Sequence, residues 1–169
     1  YVLIDRFFQN QTDVNSVSVD NIRGTYKAIE HLVMNGYKNI AMFAITPIYI
    51  SSIRERIDGY LRSIKAFGFN YGSELLFELD YYNINQNVQN AIYRNLNHSE
   101  NPIDAIFAIN NNVAISCLKV INEMRIKMPE QLGFICFDDI DLFELTNPRI
   151  SAISQPIQAI AETAVQKII

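Results

Sequence analysis

The residues best suited to chemistry in this chain sit in short polar segments that follow apolar runs. Asp5 and Arg6 follow residues 2–4, the segment from Thr46 to Arg56 follows 40–45, and Asp80 with Tyr81 follow 75–79. Asn110, Asn111 and Asn112 follow 103–109, Asp138 and Asp139 follow Phe137, and Gln155 follows 150–153. Together they supply carboxylates, a guanidinium, amides and an aromatic ring. Carboxylates and guanidinium groups each engage two neighbouring hydroxyls, and a ring covers the apolar C–H face of a sugar. The set suits a polyhydroxylated ligand, provided the fold gathers it on one rim. Singly, each residue has a plainer reading. Asp138-Asp139 equally suits a turn cap, Arg56 a surface charge, Tyr81 a place in the core, and the asparagines a helix N-cap. Only convergence lifts the ligand-binding reading.

Catalysis is not expected from these residues. The chain has no GxGxxG, no Walker loop, no GxSxG and no HExxH. His31 falls in a helical stretch and His98 in a loop, with no Cys or His at metal-ligand spacing. The acidic pair comes late in the chain, whereas phospho-acceptor receiver domains carry theirs early. No catalytic residue, metal site or cofactor is therefore assigned.

The elements that must position these side chains alternate strictly. Residues 2–4, 17–19, 40–45, 75–79, 103–109, 134–137 and 150–153 read as strands, mostly apolar on both faces. Between them, apolar residues fall at helical spacing: Ile22, Tyr26, Ile29 and Leu32; Ile53, Ile57, Tyr60 and Ile64; Ile84, Val88 and Ile92; Val113, Cys117 and Ile121; and Ile157, Ile160 and Ala164. Asp20 or Asn21 caps the first helix, and Gly36 stops it. Ser52 and Glu55 have capping-box spacing, and Pro156 suits the first turn of the last helix. Two-sided apolar strands alternating with amphipathic helices predict a doubly wound α/β fold around a parallel sheet. In such sheets the ligand crevice lies beyond the carboxyl ends of the strands. That rim is where the polar residues fall.

Composition bounds the rest. The chain has 169 residues, enough for one domain and a piece of a second. Its net charge of −4 argues against gripping DNA with this stretch alone. No run of 18 apolar residues is present, so no membrane span is expected. Cys117 and Cys136 lie in apolar surroundings outside any CxxC pair and read as buried thiols of a reducing compartment. The chain opens directly on a strand and stops within the helical pattern at Ile168-Ile169, as expected of a piece of a longer protein.

The motifs, in order, resemble the lactose/galactose repressor family of transcription regulators. They are Leu3-Ile4-Asp5-Arg6; Val19-Asp20-Asn21 with Gly24; Gly36-Tyr37-Lys38-Asn39-Ile40; Arg56-Ile57-Asp58-Gly59-Tyr60; and Pro102-Ile103-Asp104-Ala105-Ile106-Phe107. Met128-Pro129-Glu130, Phe137-Asp138-Asp139, Asn147-Pro148 and Gln155-Pro156 follow. The resemblance covers the whole chain. It implies a two-lobed, periplasmic-binding-protein-like core, here mostly the C-terminal subdomain with parts of the N-terminal one. Residues 1–19 would be a remnant of the N-subdomain, 20–155 the C-subdomain, and 156–169 the return into the N-subdomain. It further implies a small effector, a sugar or sugar phosphate, held by Asp5, Arg56, Tyr81 (stacking), Asn110, Asp138 and Gln155. Operator DNA would be reached through a missing N-terminal helix-turn-helix. A cytoplasmic homodimer is implied, with apolar surface on the helix from Val113 and the loop near Leu142 and Leu145. The alternative is a periplasmic sugar-binding protein of a transporter, which shares the fold. Asn111, where many members have Asp, and Cys136, where glycine is usual, depart from the family pattern and leave the effector open.

Overall fold

The computed structural model describes residues 1–7, 14–97 and 100–168. His98, Ile169 and most of the polar stretch after Gln9 lie outside the described residues. Among the described residues, two parallel sheets form. The smaller pairs β1 (Val2–Ile4) with β2 (Asn15–Val17). The larger has five strands: β3 (Ile40–Ile45), β4 (Leu76–Leu79), β5 (Ala105–Ala108), β6 (Gly133–Phe137) and β7 (Ser151–Ile153). Their order across the sheet is β4-β3-β5-β6-β7, all parallel.

Two helices, α1 (Asn21–Met34) and α2 (Ser51–Ala66), pack against each other over one face of this sheet, and α3 (Ile84–Asn97) and α4 (Asn111–Glu123) over the other. Every residue of β3, β5 and β6 is buried, which two-sided cover requires. A fifth helix, α5 (Ile157–Gln166), packs instead on β1 and β2. The chain runs outward from β3 to β4 and returns past β3 to β5, so the strand order reverses between β3 and β5. The crevice opens beside such a switch point.

Local chemistry explains the element ends. The Asp20 carboxylate accepts from the Arg23 N–H and caps α1. Gly36 at φ 91° makes the left-handed turn that ends it. At the lower end of the sheet, the Asp104 carboxylate accepts from the backbone N–H groups of Lys38 (2.8 Å) and Asn39 (2.9 Å), clipping the start of β3 to β5. The Tyr60 hydroxyl donates to the Ile40 carbonyl, and the Ile40 N–H donates to the Tyr71 hydroxyl. Cys117 and Cys136 are buried free thiols, and burial pushes both well above the usual thiol range.

Two expectations are corrected. The second strand covers Asn15–Val17 rather than 17–19, because the Val19 carbonyl accepts from the Asn21 N–H in the turn into α1. The Ser52–Glu55 capping box does not form. Ile50 is the N-cap of α2, with no side-chain cap bond. The Glu55 carboxylate instead accepts from the Asn21 side-chain amide.

Candidate functional site

At the carboxyl ends of the strands, between the two sheets, lies a cavity of about 570 Å³. That is within the range of small-molecule sites. Its polar wall is made by Asp5 and Arg6 beyond β1, Ser52 and Arg56 of α2, Asn110, Asn111 and Asn112 before and at the start of α4, Asp138 and Asp139 beyond β6, and Gln155 beyond β7. Ile157, Ile160 and Ala161 of α5 supply apolar surface.

Arg56 is the centre of this site. It is only 4 % exposed. Its Nε donates to Asn21 Oδ1 and its Nη1 to the Ile109 carbonyl, both at 2.9 Å. Nη1 also stands 3.6 Å from an Asp138 oxygen, and Nη2 stands 3.9 Å from an Asp5 oxygen. The guanidinium carbon lies over the Phe137 ring, 3.7 Å from its centre. Burial lowers its pKa, and the Asp138 and Asp5 charges oppose that shift. The group keeps its proton at neutral pH.

Gly59 makes this geometry accessible. A Cβ there would stand 2.9 Å from the Ile22 carbonyl oxygen and 2.9 Å from Thr25 Cβ. The bare backbone lets α2 approach α1 closely enough for Arg56, one turn earlier, to reach Asn21.

The two carboxylates share an unusual backbone. Asp5 has φ 67° and Asp138 φ 84°, both left-handed and both one residue past a strand. Each still donates its N–H to the neighbouring strand, Asp5 to Val17 and Asp138 to Ile153. The chain then turns sharply. Asp and Asn tolerate that region better than most residues with a Cβ, at a cost of about 1–2 kcal/mol. Strain of this kind concentrates where side chains are aimed at ligands. Gln155 donates from its amide to Asp138 Oδ1, so the crossover beyond β7 braces that carboxylate. Asn110 does two things at once: its Oδ1 accepts from the Val113 N–H as the α4 cap, and it lines the cavity.

Of the six residues singled out in the sequence, five line this one cavity: Asp5, Arg56, Asn110, Asp138 and Gln155. Tyr81 is not among its lining residues. It sits in a single 3₁₀ turn, Tyr81–Asn83, after β4, is 54 % exposed, and stands edge-on to Tyr82. The strand order is the reason, since β4 is the outermost strand on the side away from β6 and β7. The reading of Arg56 as a surface charge is wrong, because its side chain is buried. Sequence reasoning missed Asn21 as its partner and Phe137 as its platform. No spacing rule joins positions 21, 56 and 137. It also missed Ser51, whose hydroxyl accepts from the Phe7 N–H at 2.9 Å and ties the segment beyond β1 to α2.

Residues 29–169 match the model of the periplasmic binding protein-like domain. The chain is 32 % identical over 159 residues to a probable opine utilization operon repressor of Rhizobium rhizogenes, covering 89 % of this chain and 78 % of that protein. Among solved structures, it resembles the transcriptional regulator CelR–cellobiose complex, with 24 % identity and a TM-score of 0.85 over 98 % of this chain and 50 % of that one. It resembles equally a regulatory protein of LacI family from Chloroflexus aggregans, with 23 % identity and a TM-score of 0.85 over 98 % of this chain and 58 % of that one. The chain spans about half the length of several other curated regulators it matches. With the fold, the strand-end cavity and these likenesses together, the chain belongs to the periplasmic binding protein-like family, and within it to the lactose/galactose-repressor type.

Proposed function

We propose that this chain is the effector-binding and dimerisation region of a DNA-binding transcription regulator, and that the cavity around Arg56 takes an uncharged, hydroxyl-rich effector of the sugar class. The observation that carries this reading is the buried guanidinium of Arg56 held between the carboxylates of Asp5 and Asp138. At 3.6 and 3.9 Å these pairs are longer than hydrogen bonds. The facing N–H and carboxylate groups therefore keep bonding capacity for ligand hydroxyls beside the bonds from Arg56 to Ile109 and from Gln155 to Asp138. Three carboxylates (Asp5, Asp138, Asp139) and two guanidinium groups (Arg6, Arg56) line the cavity. That balance favours a neutral sugar over a sugar phosphate, whose charge would compete with carboxylates already facing Arg56. The cellobiose in the CelR complex supports the sugar class.

Residues 1–19 and 156–169 would belong to one lobe and 20–155 to the other. The separate β1–β2 sheet with α5 packed on it supports this division. An effector touching Asp5 on one lobe and Arg56 and Asp138 on the other would favour one lobe orientation by its difference in affinity for the two. In a dimer that shift would reset the spacing of DNA-binding heads outside this chain. Leu142 and Leu145 are exposed, and Ile115 and Leu118 of α4 are half-buried, so they suit a dimer contact. Val113, Cys117 and Ile121 of α4 do not, because they face the core. A regulator would act in the cytoplasm and turn over no substrate. A transporter's binding protein has the same fold, but the matched relatives are named as regulators.

The test is calorimetry with cellobiose, other neutral mono- and disaccharides and their phosphates, on the wild-type chain and on Arg56→Met. Binding of a neutral sugar, lost in the variant, supports the proposal. A phosphate binding more tightly than its neutral parent would contradict the charge argument. No binding by any sugar would remove the sugar class.

A further inference from the structure

We infer that Asn21 is a positioning residue for this site: it sets the plane of the Arg56 guanidinium and ties that group to the crossover segment at Val19. The inference rests on the reading that an effector engages Arg56. Asn21 is 1 % exposed at the first turn of α1. Its Oδ1 accepts from Arg56 Nε at 2.9 Å. Its Nδ2 donates to Glu55 Oε2 at 2.8 Å and, at 3.3 Å, to the Val19 carbonyl. The same carbonyl accepts from the Asn21 backbone N–H at 2.9 Å. One short, planar side chain thus uses its acceptor on Arg56 and its donors on Glu55 and Val19.

The residue type matters. Only an amide offers an acceptor and two donors on so short a stem. Aspartate would keep the acceptor but turn a second carboxylate toward Glu55. Leucine would fill the space with no polar atom. A guanidinium is rigid and planar, so fixing Nε on Asn21 and Nη1 on the Ile109 carbonyl fixes the whole fork. The remaining N–H groups are then directed toward Asp5 and Asp138, two of the three carboxylates of the cavity. Val19 lies in the segment that leaves the small sheet and enters α1, where the two lobes join. A change in that crossover therefore moves Asn21, and through it the guanidinium. By linkage, a ligand that reorients Arg56 acts back on the crossover.

The test reads the hydrogen bonds directly and needs no ligand. Exchange of the Arg56 Nε–H is followed by nitrogen-15 NMR in the wild-type chain and in Asn21→Leu, Asn21→Ser and Asn21→Asp, with thermal unfolding run alongside. Wild type and Asn21→Asp should keep a slowly exchanging Nε–H, because an oxygen still faces it. Asn21→Leu and Asn21→Ser should exchange roughly tenfold faster, the consequence of losing one buried hydrogen bond. If Asn21→Leu does not fold, Asn21→Ser carries the comparison. Full protection in either folded variant would mean that Asn21 only fills space, and would overturn the inference. In the reverse direction, Arg56→Met should speed exchange of the Asn21 backbone N–H on Val19, and an unchanged rate would overturn the tie to the crossover. Failure of every sugar to bind would leave these rates untouched, so the two readings fail separately.

Discussion

Asp138 shows how one residue carries both strain and chemistry. Its φ of 84° suits glycine better than any residue with a Cβ. Yet its carboxylate faces Arg56 and is braced by Gln155. Replacing it by Ala and by Gly removes the same carboxylate, but only Ala keeps a Cβ in left-handed backbone. The Ala variant should be less stable than the Gly variant by about 1 kcal/mol in urea unfolding. Equal midpoints would mean that the turn is unstrained. Arg56 gives a second prediction at this scale. A surface arginine could be replaced at little cost to folding. The burial of Arg56 says otherwise, since Arg56→Met leaves the Ile109 carbonyl and Asn21 Oδ1 without their donor. The cost should be on the order of 2 kcal/mol. The ion pairs add little to that, because the Asp5 side chain is 38 % exposed and screened by solvent. An unchanged unfolding midpoint would contradict this account.

Among the elements, the contact between α1 and α2 is the one the site depends on. Gly59 sits where a methyl group would meet the Ile22 backbone oxygen at 2.9 Å, and that oxygen cannot swing away as a side-chain end would. Gly59→Ala should therefore spread the two helices. Overpacking of this kind costs about 1–3 kcal/mol, visible as a lower melting temperature. It should also weaken the Arg56–Asn21 bond and speed exchange of the Arg56 Nε–H. The usual gain in helix propensity from Gly to Ala is only about 1 kcal/mol and is not expected to win. A variant as stable as wild type would show that the helices are free to part.

For the whole molecule, the clearest pH dependence lies at the end of the sheet away from the cavity. Burial pushes the Tyr71 phenol up to about 12, even though the Ile40 N–H donated to it acts the other way. Tyr60 is raised as well, again by burial. An unfolded tyrosine loses its proton near 10, so above that pH the unfolded chain holds fewer protons than the folded one. The contribution of Tyr71 should hold in full below about pH 10 and be lost as pH rises from 10 toward 12, on top of an earlier fall from the two buried thiols. Tyr71→Phe should flatten the later fall in urea unfolding at several alkaline pH values, and an identical slope in both proteins would rule out Tyr71 as a contributor.

The alternation of two-sided apolar strands with amphipathic helices was enough to determine the doubly wound sheet, because burial periodicity is a local property of the chain. Most strand ends were legible for the same reason, the second strand excepted, and so were Asp5, Arg56, Asn110, Asp138 and Gln155 as rim residues. Strand order was not legible, since pairing joins residues far apart in the chain. That order set Tyr81 in the turn beyond the outer strand, outside the cavity lining. Only the tertiary structure buried Arg56, laid it on Phe137 and joined it to Asn21, because those contacts depend on how closely α2 approaches α1. That distance is decided by a glycine whose neighbours come from the other helix.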